Sequence, residues 1–183
     1  MTKTETVVLG GGCFWCTEAV FRQVRGVTRV EPGYSNGQAE RPSYEQVCTG
    51  HTGCVEVVRL TFDPAQIGLR QILEIFFVVH DPTQRNRQGN DVGTQYRSGI
   101  YTTTAEQQAV AEALIAEMER SRMWDAPIVT EVEPLAHFWP AEDYHHDYVA
   151  RNPTQGYCVV VAAPKVAKFR QTFRDWVRTD APP

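Results

Sequence analysis

The sequence has no stretch approaching the roughly 18 consecutive apolar residues that a membrane-spanning helix needs. It has no basic cluster either: 18 Lys and Arg stand against 22 Asp and Glu, a formal net charge of −4. A mildly acidic chain without a basic stripe gives no footing for nucleic acid or an anionic membrane surface. Met1 to Glu5 is polar and lacks the apolar core of a secretory signal, so a cytoplasmic, reducing location is expected. Internal repeats, low-complexity tracts and linker-like shifts in composition are also missing. The 183 residues therefore form one expected domain, 1–183, long enough to bury a substantial core.

Against these absences stand five cysteines, Cys13, Cys16, Cys48, Cys54 and Cys158. In a reducing compartment such thiols suggest redox residues or metal ligands before structural disulfides.

The pattern of apolar residues predicts a mixture of strands and helices. Thr6 to Leu9 is a short β-branched strand ended by Gly10-Gly11-Gly12. Helical spacing is expected over Cys13 to Val24, Leu69 to Val79, Thr104 to Met123 and Val166 to Val177. Further strands are expected at Val27 to Tyr34, Val55 to Phe62, Ser98 to Thr102 and Ile128 to Leu135. Asp81 to Arg97 has no periodicity and is too long for a simple connection, the mark of a functional loop. Pro182-Pro183 is expected to fray. Without strict βαβ alternation, the fold class is α+β, a mixed sheet packed by helices in a two-layer, ferredoxin-like sandwich.

The chemistry concentrates at Gly10-Gly11-Gly12-Cys13-Phe14-Trp15-Cys16. A cysteine at a helix start meets free backbone amides and the positive end of the helix dipole, which lower a thiol pKa. The glycines allow a tight turn and leave the sulfur accessible. Taken singly, each of these residues has a plainer role: a buried thiol, core aromatics, a solvated Glu56 on a strand, half-buried Tyr44 and Tyr96.

Taken together they resemble the A-type peptide methionine sulfoxide reductases. The likeness runs from Gly12-Cys13-Phe14-Trp15 through Gly33-Tyr34-Ser35-Asn36-Gly37, Pro42-Ser43-Tyr44 and Val47-Cys48-Thr49-Gly50. It continues through Thr52-Gly53, Glu56, His80-Asp81-Pro82-Thr83 and Gln88-Gly89-Asn90-Asp91. Gly93-Thr94-Gln95-Tyr96-Arg97-Ser98 and Pro140-Ala141-Glu142-Asp143-Tyr144-His145 complete it. The resemblance implies that Cys13 attacks the sulfoxide sulfur and is left as a sulfenic acid. It assigns Glu56 as the acid, Tyr44 and Tyr96 as hydrogen bonders to the oxygen, and Phe14 and Trp15 as the methyl pocket. Asp91 orients part of the site, and the S epimer is the expected substrate. His145 and His146 are expected to be structural or to edge the substrate site. No cofactor or metal is implied. The expected partners are oxidised proteins or peptides and thioredoxin as reductant.

The sequence departs from the commonest family pattern at Cys16, where Gly is frequent, and at Cys54, where His is frequent. The sulfenic acid needs a second thiol. Cys16, three residues from Cys13, has the spacing of dithiol motifs and is favoured. Cys158, in Gly156-Tyr157-Cys158, matches the resolving position of some members but would need a mobile segment to reach Cys13. A relay through both also remains open. Cys48 and Cys54 are expected to be buried or incidental. Two other functions compete: a general thiol–disulfide oxidoreductase, and a zinc-stabilised binding module using Cys13, Cys16, Cys48 and Cys54. The second has loose ligand spacing.

Overall fold

The computed structural model describes residues 3–180, so the expected fraying at Pro182-Pro183 lies outside the described residues. In chain order the regular elements begin with β1 (Glu5–Gly10), α1 (Phe14–Phe21), β2 (Val27–Ser35), α2 (Tyr44–Cys48), β3 (Val55–Phe62) and α3 (Leu69–Val79). They continue with β4 (Arg87–Gln88), β5 (Asp91–Val92), β6 (Gly99–Thr102), α4 (Ala105–Arg120), β7 (Glu131–Pro134) and β8 (Phe138–Pro140). The last helices are α5 (Tyr148–Arg151) and α6 (Ala163–Thr172), the latter entered through a π-helical turn at Cys158–Ala162.

The run β1-α1-β2-β3-α3-β6 produces the antiparallel strand order β6-β1-β3-β2, a ferredoxin-like core. β7 adds in parallel beside β6 and β8 adds antiparallel beside β2, which makes the sheet mixed. The alternation in β3 explains its central place. Val58, Leu60 and Phe62 face α1 and α3 and pack with Val20, Phe21, Ile72 and Phe76 in the main core. Val55 and Val57 join Val8 and Tyr101 on the opposite face, under Leu135 and Phe138.

Several boundaries differ from the sequence pattern, each for a local reason. α1 stops at Phe21 rather than Val24, because i→i+3 bonds tighten residues 22–24 before Gly26 (φ +91°) turns the chain into β2. α4 stops at Arg120, shortly before Arg122 enters the left-handed region. β7 begins only at Glu131, the residue that pairs with Gly99. α6 starts earlier than expected, with Pro164 in its first turn, and a separate turn at Arg174–Trp176 follows it. α2 was not anticipated, although Ser43 and Gln46 form a reciprocal capping box. The long Asp81–Arg97 stretch folds as the small β4–β5 hairpin and a tight turn at Thr94–Tyr96.

Arg97 fastens that stretch to the sheet. Its guanidinium donates to Glu131 (3.1 Å), to the Thr94 carbonyl (2.9 Å) and to the Gly53 carbonyl (2.9 Å). Tyr101 donates to the same Glu131 carboxylate at 2.9 Å. Arg97→Met would cost the half-buried Glu131 its ion-pair partner, leaving it the Tyr101 hydroxyl, and leave the Gly53 carbonyl without its guanidinium donor. The expected loss is about 2–4 kcal/mol, a fall in Tm of about 4–16 °C for a chain of this size. Thermal denaturation monitored by circular dichroism checks it.

Candidate active site

The end of β1 delivers the chain to Gly11 and Gly12, and α1 begins at once. Gly12 has φ +93°, and a Cβ there would lie 2.7 Å from Cγ of Gln88, so glycine is required on two counts. Cys13 occupies the N-cap position, and its carbonyl accepts from Cys16 N–H at 3.1 Å. The next residue ties the helix to β3: Phe14 N–H donates to Glu56 Oε1 at 3.2 Å. Glu56 is 1% exposed and shares the face of Val58, Leu60 and Phe62. Its other oxygen, Oε2, has no hydrogen-bond partner among the described residues. Burial pushes this carboxyl up to about 8, against the opposing Phe14 amide, with Asp91 and Cys16 adding to the rise. At neutral pH Glu56 is therefore an acid holding its proton.

The two nearest thiols share a hydrogen bond. Burial pushes the Cys13 thiol well above its ordinary value, reinforced by that bond to Cys16 and by the charge of Glu56. The Trp15 amide favours the thiolate but is outweighed. This corrects the expectation from the helix start alone: Cys13 is only 8% exposed, and desolvation exceeds the pull of the helix terminus. Cys16 moves the other way, to about 7, chiefly because Cys13 donates to it, with Lys165 and the Tyr157 hydroxyl assisting against burial. The pair therefore carries a negative charge near neutral pH, seated on Cys16 and one proton hop from Cys13.

An aromatic shell surrounds this centre. The Phe14 ring lies 5.7 Å from that of Tyr34 and stacks on Tyr44 at 6.4 Å. Trp15 stacks on Tyr148 at 3.8 Å, and its Nε1–H donates to His145 Nδ1 at 2.9 Å. Tyr44 and Tyr96 both feel the Glu56 charge, and burial keeps both phenols protonated. Glu142 anchors Tyr44 from behind, accepting from its backbone N–H at 3.0 Å and from the Tyr34 hydroxyl at 2.9 Å. Tyr157 closes the remaining side, donating to Asp91 Oδ2 at 2.6 Å while its hydroxyl sits 3.6 Å from Cys16 Sγ.

Such a constellation, a dry acid beside a paired thiol inside aromatic walls, suits transfer of an oxygen from a small polar group on an apolar side chain. The comparisons agree with it. Residues 5–177 match the family described as peptide methionine sulfoxide reductase. The chain belongs to that family. It is 56% identical over 173 residues to the peptide methionine sulfoxide reductase MsrA of Ralstonia nicotianae, covering 92% of this chain and 91% of that one. It is 51% identical over 173 residues to the MsrA of Polynucleobacter asymbioticus, covering 94% and 91%. Among solved structures, reduced Mxr1 of Saccharomyces cerevisiae superposes with a TM-score of 0.80 at 35% identity, over 85% of this chain and 90% of that one. Methionine sulfoxide reductase A of Corynebacterium diphtheriae gives 0.75 at 35% identity, over 84% and 77%.

In this reductase the predicted residues Cys13, Phe14, Trp15, Cys16, Tyr44, Glu56, Asp91 and Tyr96 surround one centre. Cys158 needs no distant tail to approach it: the residue is buried in the π turn, next to Tyr157, and feels the Cys16 charge. Cys54 is buried in the core, as expected. Cys48 is exposed, and its thiol hydrogen-bonds Tyr44. Among the described residues no three of His, Cys, Asp or Glu stand together as a metal site. Sequence reasoning passed over Tyr34, Glu142, Tyr148 and Tyr157. Tyr34, Glu142 and Tyr157 lie in or beside matched stretches, but their pairings arise only on folding. His145, expected to be structural or at the substrate edge, is fully buried behind Phe14 and Trp15.

The raised Glu56 pKa sets a pH-dependent stability. An unfolded carboxyl ionises near 4.5 whereas the folded one holds its proton to about 8, so Glu56 costs the fold stability progressively as pH rises between these values. Glu56→Gln retains an acceptor for Phe14 N–H and has nothing to ionise. Its stability advantage over the parent should grow from near zero below about pH 5 to of order 3–5 kcal/mol above about pH 8. Paired melting curves across that range check the slope; a constant offset contradicts it.

Proposed function

We propose that this enzyme reduces the S epimer of methionine sulfoxide, in oxidised proteins and peptides and as the free amino acid, with Cys13 as nucleophile. One observation carries the reading: a protonated Glu56 carboxyl with an unused oxygen beside the Cys13–Cys16 pair. The Cys13 proton passes to Cys16, and the Cys13 thiolate attacks the sulfoxide sulfur as Glu56 protonates its oxygen. The hydroxyl then moves from the substrate sulfur to the Cys13 sulfur as the new sulfur–sulfur bond breaks with its electron pair left on methionine, so methionine departs and Cys13 is a sulfenic acid. Tyr44 and Tyr96 hydrogen-bond the oxygen, Phe14 and Trp15 hold the methyl group, and Asp91 steadies Tyr157. Three fixed contacts around a chiral sulfur admit one epimer.

Cys13→Ser should release no methionine, because a hydroxyl is a far weaker nucleophile than a thiolate. Glu56→Gln should slow single-turnover methionine release by ~10²–10⁴. The parent should consume one epimer of a racemic sulfoxide peptide, read by chromatography. Equal consumption of both epimers refutes the pocket assignment, and an unimpaired Glu56→Gln removes Glu56 as the acid.

We further propose Cys16 as the resolving thiol. Its thiolate attacks the Cys13 sulfenic sulfur, a disulfide forms, and hydroxide departs and is protonated to water. Thioredoxin then reduces the disulfide by exchange. Support comes from the existing Cys13–Cys16 hydrogen bond and the lowered Cys16 pKa. Cys16→Ser should still release about one methionine per enzyme in a single turnover, more slowly because Cys13 has lost its proton acceptor, but recycle poorly with thioredoxin, with partial rescue by dithiothreitol. If Cys158→Ser is blocked instead, the role passes to Cys158. If both are impaired and two disulfides appear in succession by mass, a relay operates.

A further inference from the structure

Behind Cys16, on the side away from the aromatic shell, lies a cavity of ≈ 10 Å³ lined by Gly11, Cys16, Thr17, Phe76, His80 and Lys165, among others. It has room for about one water molecule at most. Lys165 enters from the first turn of α6, three residues beyond the buried Ala162 that packs on Cys13 and Cys16. Among the described residues its ammonium has no hydrogen bond or ion pair. His80 cannot supply a second positive charge. Burial pushes it down to about 4, and its ring is held between the Phe76 carbonyl and the Ser98 hydroxyl. The other groups facing Cys16 are Cys13, the Tyr157 hydroxyl, Asp91 behind that hydroxyl, Glu56 and Cys158, none of them cationic.

We propose that Lys165 is the charge-compensating residue of the recycling step, holding Cys16 as the thiolate that attacks the Cys13 sulfenic acid. The proposal rests on Cys16 being the resolving thiol. An ammonium acting across a nearly dry cavity is screened far less than one in water. The positive charge favours Cys16 as an anion, in line with its lowering effect there.

The test is the pH dependence of Cys13–Cys16 disulfide formation after one turnover, followed by quenched mass analysis, in the parent, Lys165→Gln and Lys165→Arg. For a Cys16 midpoint raised by about one unit, the thiolate fraction near pH 6 falls about ninefold while each thiolate becomes about threefold more nucleophilic. Lys165→Gln should therefore be about threefold slower near pH 6 and about two- to threefold faster near pH 9, with the two profiles crossing between. Lys165→Arg should follow the parent. Mere structural damage lowers the rate at every pH without a crossing, and parallel profiles overturn the proposal. The underlying assignment is read separately. Iodoacetamide labelling of Cys16 in resting enzyme, resolved by fragment mass spectrometry, should also shift to higher pH in Lys165→Gln. An unshifted labelling midpoint contradicts the charge relation itself. A Cys13–Cys158 disulfide in the parent contradicts the resolving role, whatever the labelling shows.

Discussion

The bond between the Phe14 amide and the Glu56 carboxyl joins the two halves of the chemistry. It fixes the start of α1, which carries the proposed nucleophile Cys13, to the central strand β3, which carries the proposed acid Glu56. A helix N-terminus has amides to spare, and a buried carboxyl needs a donor, so each answers a deficit of the other. Because the amide uses only one carboxyl oxygen, the second has no partner among the described residues. The surrounding core keeps that arrangement dry, with Phe76, Leu9 and Val58 filling the space beneath it. Dryness is what keeps the acid protonated, and so the hydrophobic packing of an ordinary ferredoxin-like core tunes the reactivity of two side chains at its edge.

Much of this was visible in the chain as written. Glu56 falls in phase with Val58, Leu60 and Phe62, yet taken singly it read as a solvated strand glutamate, and only the family resemblance marked it as functional; the helix packed above it accounts for its burial. The strand-then-glycine-then-cysteine run also translated directly into structure, since Gly12 has a backbone angle that side chains rarely adopt. What escaped was everything set by long-range proximity. Tyr157 reaches Asp91 across 66 positions and Tyr34 reaches Glu142 across 108, with no local periodicity to announce either pair. The acidity of Cys13 was misjudged for the same reason: helix position is local, whereas desolvation depends on what the rest of the chain lays over the thiol. Short elements such as α2 and α5, with few residues each, fell below the length at which apolar spacing is informative.

The site is also unusually dependent on aromatic rings that hold one another. Trp15, Tyr148, His145, Tyr44 and Phe14 form a continuous set of ring contacts drawn from α1, α2, α5 and the turn before α5. Rigid rings have few torsions to lose on ordering, so walls built from them keep their shape between turnovers at small entropic cost. Glu18 supports the far side of the set, its carboxylate accepting from the Asp147 amide at 2.8 Å just before Tyr148. The precision of the pocket is therefore distributed over several elements.

The π turn at Cys158–Ala162 has a geometric consequence for the chain that follows Tyr157. A π turn holds one residue more than an α turn, so it is a reserve of length stored within a helix. Conversion to α geometry would rotate the preceding residue by about 100° around the axis and draw it about 1.5 Å along it, leaving α6 seated. Cys158 stands at the first position of that turn, with Tyr157 immediately before it. Such a conversion would swing the Cys158 sulfur relative to Cys16 and pull on the bond between Tyr157 and Asp91.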